Sequence, residues 1–83
     1  MSHVLIIEDE ATHLELIKRG LERCKFPPRI SHASTLAEGL AFLEKELPDL
    51  ALVDYRLPDG LGDEFVAWAA GRFGIRPSLA RAF

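Results

Sequence analysis

Three acidic side chains stand where two short apolar segments of the sequence end. Glu8 and Asp9 follow residues 4–7, and Asp54 follows residues 50–53. Carboxylates that lie within a few ångströms of one another repel strongly unless a cation sits among them, and hard oxygen ligands with room for water suit Mg²⁺. If the two apolar segments lie side by side, these three acids predict a Mg²⁺ site.

The elements that must position these acids alternate between two kinds of pattern. Short apolar runs are typical of strands buried on both faces, and apolar residues at helical spacing are typical of amphipathic helices. Thr35 and Glu38 match a capping box, and Pro48 ends the helix that the box begins. We predict strands at residues 4–7, 29–33 and 50–53, and helices at residues 11–23, between Thr35 and Pro48, and at residues 63–70.

This alternation predicts a three-layer α/β/α fold. Strands joined through helices run parallel, and right-handed crossovers place the three strands in the order 2-1-3 with helices on both faces. Functional groups of open parallel sheets gather at the carboxyl ends of the strands, where the chain order reverses. That point lies between the first and third strands, so Glu8, Asp9 and Asp54 are expected to converge.

The acids and the loop after Asp54 match a known signature. An acidic pair follows the first strand, and Asp54, Leu57 and Pro58 have the spacing Asp-x-x-Leu-Pro, with Gly62 four residues beyond the proline. This pattern resembles that of the response-regulator receiver domains of the CheY-like, flavodoxin-like family. The resemblance covers residues 4–70. It implies a receiver module of two-component phosphorelay signalling.

The resemblance also implies roles for individual residues. Asp54 would accept a phosphoryl group from a sensor histidine kinase or a phosphotransfer protein, since an Asp carboxylate is a competent nucleophile towards phosphorus. Mg²⁺ would be held by Asp9, by Asp54 and by the backbone carbonyl of Arg56, with Glu8 acting through a bound water. Such a chain is a phosphoacceptor and not an enzyme in its own right.

The chain departs from the family pattern after residue 70. Complete receivers have five strands, with a Ser or Thr after the fourth and a Lys after the fifth, yet no threonine follows Thr35 and no lysine follows Lys45. The segment at residues 71–74, with a glycine at each end, is expected to break the third helix. We therefore predict a truncated receiver at residues 1–70 that lacks the fourth and fifth strands, and a divergent tail at residues 71–83.

Loss of those strands would leave the third strand at the edge of the sheet. An exposed apolar edge invites pairing with another chain. The sequence therefore predicts a homodimer, formed through this edge or through the tail. An alternative function is a receiver-like interaction or dimerisation module that is not phosphorylated and has no output domain. A phosphohydrolase with an Asp nucleophile ranks last, because Arg56 stands where its second acid would be required.

Composition excludes several other classes. The formal net charge is −3, and clustered basic residues of the kind that bind nucleic acid are missing. No apolar run approaches the roughly 20 residues that cross a bilayer, and a single cysteine, Cys24, fits the cytoplasm. His3, His13 and His32 lack the spacing of a shared metal site, and Asp59 and Asp63 are interpreted as turn and helix-start residues.

Overall fold

The computed structural model describes residues 2–74 together with the backbone of residues 76–80. The strands are β1 (His3–Ile7), β2 (Arg29–Ala33), β3 (Leu50–Asp54), β4 (Arg56–Leu57), β5 (Gly60–Leu61) and β6 (Arg76–Ala80). The helices are α1 (Ala11–Glu22), α2 (Leu36–Lys45) and α3 (Gly62–Phe73). The three strands and three helices that the sequence predicts are all present.

The main sheet is parallel and has the order β2-β1-β3-β6. Ile7 of β1 lies level with Ala33 of β2 on one side and with Val53 of β3 on the other. The α/β class and the predicted order 2-1-3 are therefore confirmed. The central strand β1 is buried along its whole length, as its continuous apolar sequence indicates.

The fourth strand corrects one prediction. Strand β6 pairs with β3 from Leu50 opposite Arg76 to Asp54 opposite Ala80. The sequence predicts a sheet without a fourth strand and with an exposed β3 edge, and both predictions are wrong. The segment lacks a distinctive strand pattern, and it is the free backbone groups of β3 that give it ladder partners. A fifth strand is absent from the main sheet in the described residues.

Helix α3 is longer than predicted. It continues through Gly71 to Phe73 and ends at Gly74, which adopts a left-handed conformation with φ 68°. The Gly74 N–H donates to the carbonyl of Ala70 at 3.2 Å. Left-handed backbone favours glycine, so within the predicted breaking segment it is Gly74 that ends the helix, three residues beyond the predicted end at residue 70. An isolated glycine inside a helix lowers its stability without breaking it.

The core lies between the sheet and helices α2 and α3. Its buried side chains are Leu5, Ile7, Ala33, Leu43, Ala51, Val53, Leu57, Phe65 and Ala69. Helix α2 packs closely against β1 at Gly39, where an added Cβ would clash with Cδ1 of Ile7. Helix α1 has no fully buried residue. Within the described residues, no helix is both long and apolar enough to span a bilayer.

Candidate metal and phosphoacceptor site

Glu8, Asp9 and Asp54 come together at the carboxyl ends of β1 and β3. One carboxylate oxygen from each lies within 4.8 Å of those from the other two. The predicted convergence is confirmed, and its cause is the register of the sheet. Because Ile7 pairs with Val53, the residues that follow each of them emerge at the same edge.

The cluster combines two buried acids with one exposed acid. Glu8 is 3% exposed and Asp54 is 4% exposed, whereas Asp9 faces solvent. Burial raises the pKa of Glu8, a hydrogen bond from the Glu10 N–H opposes this effect, and the nearby charge of Asp54 raises the pKa of Glu8 further. The site therefore disfavours negative charge on Glu8 when nothing positive is bound.

One buried oxygen of the cluster has no partner in the described part of the chain. Oδ1 of Asp54 accepts no hydrogen bond there, although it is shielded from solvent. A buried acceptor of this kind calls for a ligand, since leaving it unsatisfied costs free energy. Three carboxylates with an unsatisfied buried oxygen form a donor set that fits a hard divalent cation such as Mg²⁺.

The loop after Asp54 is a short hairpin. Arg56 pairs with Leu61 and Leu57 pairs with Gly60 in the antiparallel β4–β5 ladder. The Gly62 N–H donates to the carbonyl of Tyr55 at 2.7 Å and closes the base of the loop. This hairpin fixes the backbone that contains Arg56, whose carbonyl is the third predicted direct ligand of Mg²⁺. Pro58 lies in the turn, and the functional roles of Pro58 and Gly62 stay predictions.

Two histidines that were not predicted to belong to the site contact Glu8. Nδ1 of His13 lies 3.9 Å from Oε1 of Glu8 and 3.8 Å from Oε2 of Glu10. Nε2 of His32 lies 2.8 Å from the backbone carbonyl oxygen of Glu8. A signal existed for His13, because side chains in the first turn of a helix lean back towards its N-terminus. The contact of His32 depends on tertiary structure.

Asp59 also has a role that the sequence did not reveal. Its two carboxylate oxygens accept hydrogen bonds from the backbone N–H groups of Leu36 and Ala37, each at 2.9 Å. The bond from Leu36, followed by that from Ala37, lowers the pKa of Asp59. The interpretation of Asp59 as a simple turn residue was incomplete, because its side chain caps α2, a helix that is distant in sequence.

Comparison with known proteins supports the same class. The family model for the response regulator receiver domain matches residues 4–72. The KDP operon transcriptional regulatory protein KdpE of Escherichia coli (strain K12) is 39% identical over 66 residues, which cover 80% of this chain and 28% of KdpE. The methanogenesis regulatory protein FilR1 of Methanothrix harundinacea (strain 6Ac) is 41% identical over 61 residues, covering 71% of this chain and 14% of FilR1.

Solved structures agree with this result. The MaeR response regulator bound to beryllium trifluoride matches with a TM-score of 0.89 and 26% identity, over 100% of this chain and 69% of MaeR. A CheY-like receiver domain protein from Methanospirillum hungatei JF-1 matches with a TM-score of 0.84 and 32% identity, over 100% of this chain and 66% of that protein.

The parallel sheet with helices between its strands, and the acids at the ends of β1 and β3, define a receiver-type fold. The chain belongs to the response regulator receiver domain family. It is a receiver domain of two-component signalling. The chain spans between 14% and 34% of the length of the curated relatives it matches.

Proposed function

We propose that Asp54 accepts a phosphoryl group in a reaction that requires Mg²⁺. The observation that supports this proposal is the convergence of Glu8, Asp9 and Asp54 within 4.8 Å, together with the unsatisfied buried Oδ1 of Asp54. A buried carboxylate whose oxygen is left without a protein partner is available to bind a cation or to attack phosphorus.

In the proposed reaction, a carboxylate oxygen of Asp54 attacks the phosphorus of a phosphohistidine. A new O–P bond forms, the P–N bond breaks, and its electron pair returns to the imidazole nitrogen of the donor. Asp9 and Asp54 would bind Mg²⁺ directly, the Arg56 carbonyl would complete the protein ligands, and Glu8 would act through water. The cation supplies neutralisation of the charge that accumulates on the phosphoryl oxygens.

The proposed donor is a sensor histidine kinase or a phosphotransfer protein. Membership of the receiver family supports this assignment, as does the similarity to the regulatory protein KdpE. The proposed compartment is the cytoplasm, where the free, exposed thiol of Cys24 would persist in reduced form. We also propose a homodimer that forms through the outer edge of β6. This strand is at the edge of the described sheet, and such an edge can pair with a second copy.

The decisive experiment is mass spectrometry of the intact chain after incubation with acetyl phosphate. Wild type with Mg²⁺ is expected to gain the mass of one phosphoryl group, and neither an EDTA-treated sample nor Asp54→Asn should gain it. Asp63→Asn removes the same charge outside the cluster and should be phosphorylated like wild type. An unchanged mass for wild type with Mg²⁺ would instead favour the interaction module that is not phosphorylated.

A further inference from the structure

We propose that Asp59 is a positioning residue that docks the loop after Asp54 onto the N-terminus of α2, so that Mg²⁺ binding at the acidic cluster is coupled to the order of the first turn of α2. This inference rests on the proposed function, because it assumes that the cluster binds Mg²⁺. It deepens that proposal by naming the element whose conformation the site would control.

The N-terminus of α2 depends on Asp59 for two of its three free N–H groups. The Leu36 and Ala37 N–H groups donate to Asp59 at 2.9 Å, whereas the Glu38 N–H donates to Oγ1 of Thr35 at 3.1 Å. The side chain of Glu38 in turn accepts from the Ser34 N–H at 2.9 Å. The local capping box therefore satisfies one helical N–H group, and the β4–β5 loop satisfies the other two.

The same loop lies close to the side chain of the first residue of α2. Gly60 has φ 156°, a value that side chains rarely allow, and a Cβ there would stand 2.9 Å from Cδ1 of Leu36. Leu57, at the start of the turn, is buried in the core. The loop is therefore anchored to the core through Leu57 and to α2 through Asp59, and Gly60 leaves room for Leu36. A two-residue turn lies between the short strands β4 and β5.

The anchor points lie next to the proposed metal ligands. Asp54 is buried at the end of β3, and Arg56 pairs with Leu61 across the hairpin. A cation that holds both the Asp54 carboxylate and the Arg56 carbonyl restricts the hairpin at one end, while Asp59 restricts it at the other.

Coupling between these two ends must act in both directions. If Asp59 holds the hairpin in the geometry that binds Mg²⁺, then bound Mg²⁺ must also favour the conformation in which Asp59 caps α2. Loss of Asp59 frees the hairpin and α2 from each other. The affinity for Mg²⁺ should then fall, and Mg²⁺ should no longer affect the Leu36 and Ala37 N–H groups.

The test compares Mg²⁺ binding by calorimetry of the whole chain in wild type, Asp59→Ala, Asp59→Asn and Asp63→Ala. Asp63→Ala is the matched control, because Asp63 is also an exposed acid, and its carboxylate accepts from the N–H of its neighbour Glu64 rather than from another element in the described residues. We expect Asp59→Ala to raise the Kd for Mg²⁺ by about fivefold or more. Asp59→Asn should fall between wild type and Asp59→Ala, and Asp63→Ala should stay near wild type.

A second measurement uses hydrogen exchange of the Leu36 and Ala37 amides. In wild type, Mg²⁺ should slow the exchange of both amides more than it slows the Gly74 amide at the end of α3. Stabilisation of the whole fold slows all three amides, so a purely structural cap would show no such excess. This measurement needs no variant and holds even if Asp59→Ala does not fold. In Asp59→Asn, the slowing by Mg²⁺ should be smaller.

The possible results separate the two proposals. If wild type binds Mg²⁺ but Asp59→Ala and Asp63→Ala have equal Kd values, the coupling is refuted and the proposed function stands. Slowing of the Leu36 and Ala37 amides by saturating Mg²⁺ that is no greater than the slowing of the Gly74 amide refutes it as well. If wild type does not bind Mg²⁺, the proposed function and the coupling both fail.

Discussion

At the scale of single residues, the acidic cluster combines charge with burial. Glu8 and Asp54 are almost completely shielded from solvent, and the pKa of Glu8 is raised by burial and by its neighbour Asp54. Buried carboxylates that share a site destabilise the folded state unless a cation joins them. The acidic cluster therefore lowers the stability of the Mg²⁺-free protein, and this is the cost of forming an anionic pocket before the cation binds.

Glu8→Gln should stabilise the Mg²⁺-free protein at neutral pH by about 1 kcal/mol, because it removes a buried negative charge beside Asp54. The folded state holds the Glu8 proton more tightly than the unfolded chain does, since its pKa is raised from the ordinary value of 4.5. Wild-type stability is therefore lost as the pH rises from about 4.5 towards the raised pKa. Urea unfolding at several pH values, with EDTA present, measures the difference.

The pH dependence also provides the control for Glu8→Gln. The variant and wild type should have similar free energies of unfolding below the ordinary pKa of Glu8, where the wild-type carboxyl is protonated in both states. The advantage of the variant should then grow with pH. A constant difference at every pH would show that packing, and not charge, separates the two proteins.

Mg²⁺ should reverse the electrostatic penalty at the cluster. A concentration of 100 times the Kd should raise the free energy of unfolding of wild type by about 2.7 kcal/mol, which thermal unfolding with and without Mg²⁺ can measure. Asp9→Asn should lose most of this gain, because it removes the exposed acid of the cluster. Equal stabilisation of wild type and Asp9→Asn would exclude Asp9 as a ligand.

At the scale of elements, α2 contacts chain segments on both sides of the site. Gly39 brings it against Ile7 of β1, the residue directly before Glu8. Its N-terminus meets the hairpin that follows Asp54. Helix α2 therefore contacts both the strand that leads to Glu8 and the hairpin that follows Asp54. The packing of α2 helps to fix these two segments relative to each other.

Gly39→Ala should lower the free energy of unfolding by about 1–2 kcal/mol, since the new methyl group would force fully buried Ile7 to move, and overpacking outweighs the gain in helix propensity. Gly20→Ala in α1 is the matched control. A Cβ there meets no atom within 4 Å, so stability should rise by about 0.5–1 kcal/mol. Chemical denaturation checks both, and a stabilising Gly39→Ala would contradict the close packing.

At the scale of the whole molecule, the edge strand of the main sheet, β6, was not predicted from the sequence. Strand β6 pairs with β3 over its full length, so the predicted exposed edge of β3 is covered. The apolar strand β3 is thereby internal to the sheet. Two copies could pair through β3 only if β6 first detached from it. The pairing of β6 with β3 therefore protects the protein against self-association through this edge.

Truncation after Gly74 should expose the β3 edge. We expect the shortened chain to unfold at lower denaturant concentration than the full chain and to associate as its concentration rises, because unpaired apolar edges seek partners. Light scattering over a range of concentrations, with the full chain as reference, measures this. A truncated chain that stays monomeric with unchanged stability would show that β6 contributes nothing to the sheet in solution.

Local pattern was sufficient for most of the fold and for the centre of the site. Continuous apolar runs identified the strands that contain Ile7 and Val53, helical spacing identified the three helices, and the rule for crossovers gave the order 2-1-3. Topology then brought Glu8, Asp9 and Asp54 together without any knowledge of distances. These features follow from the sequence alone because each depends on residues that are near one another in the chain or on a general rule of chirality.

Tertiary structure decided the rest. Strand β6 forms because β3 offers it backbone partners, the cap of α2 by Asp59 joins positions that are 22 and 23 residues apart, and His32 reaches Glu8 only across neighbouring strands. None of these contacts leaves a periodic mark in the sequence. They depend on where elements meet in space, and that meeting is fixed by packing of the whole core rather than by any one segment.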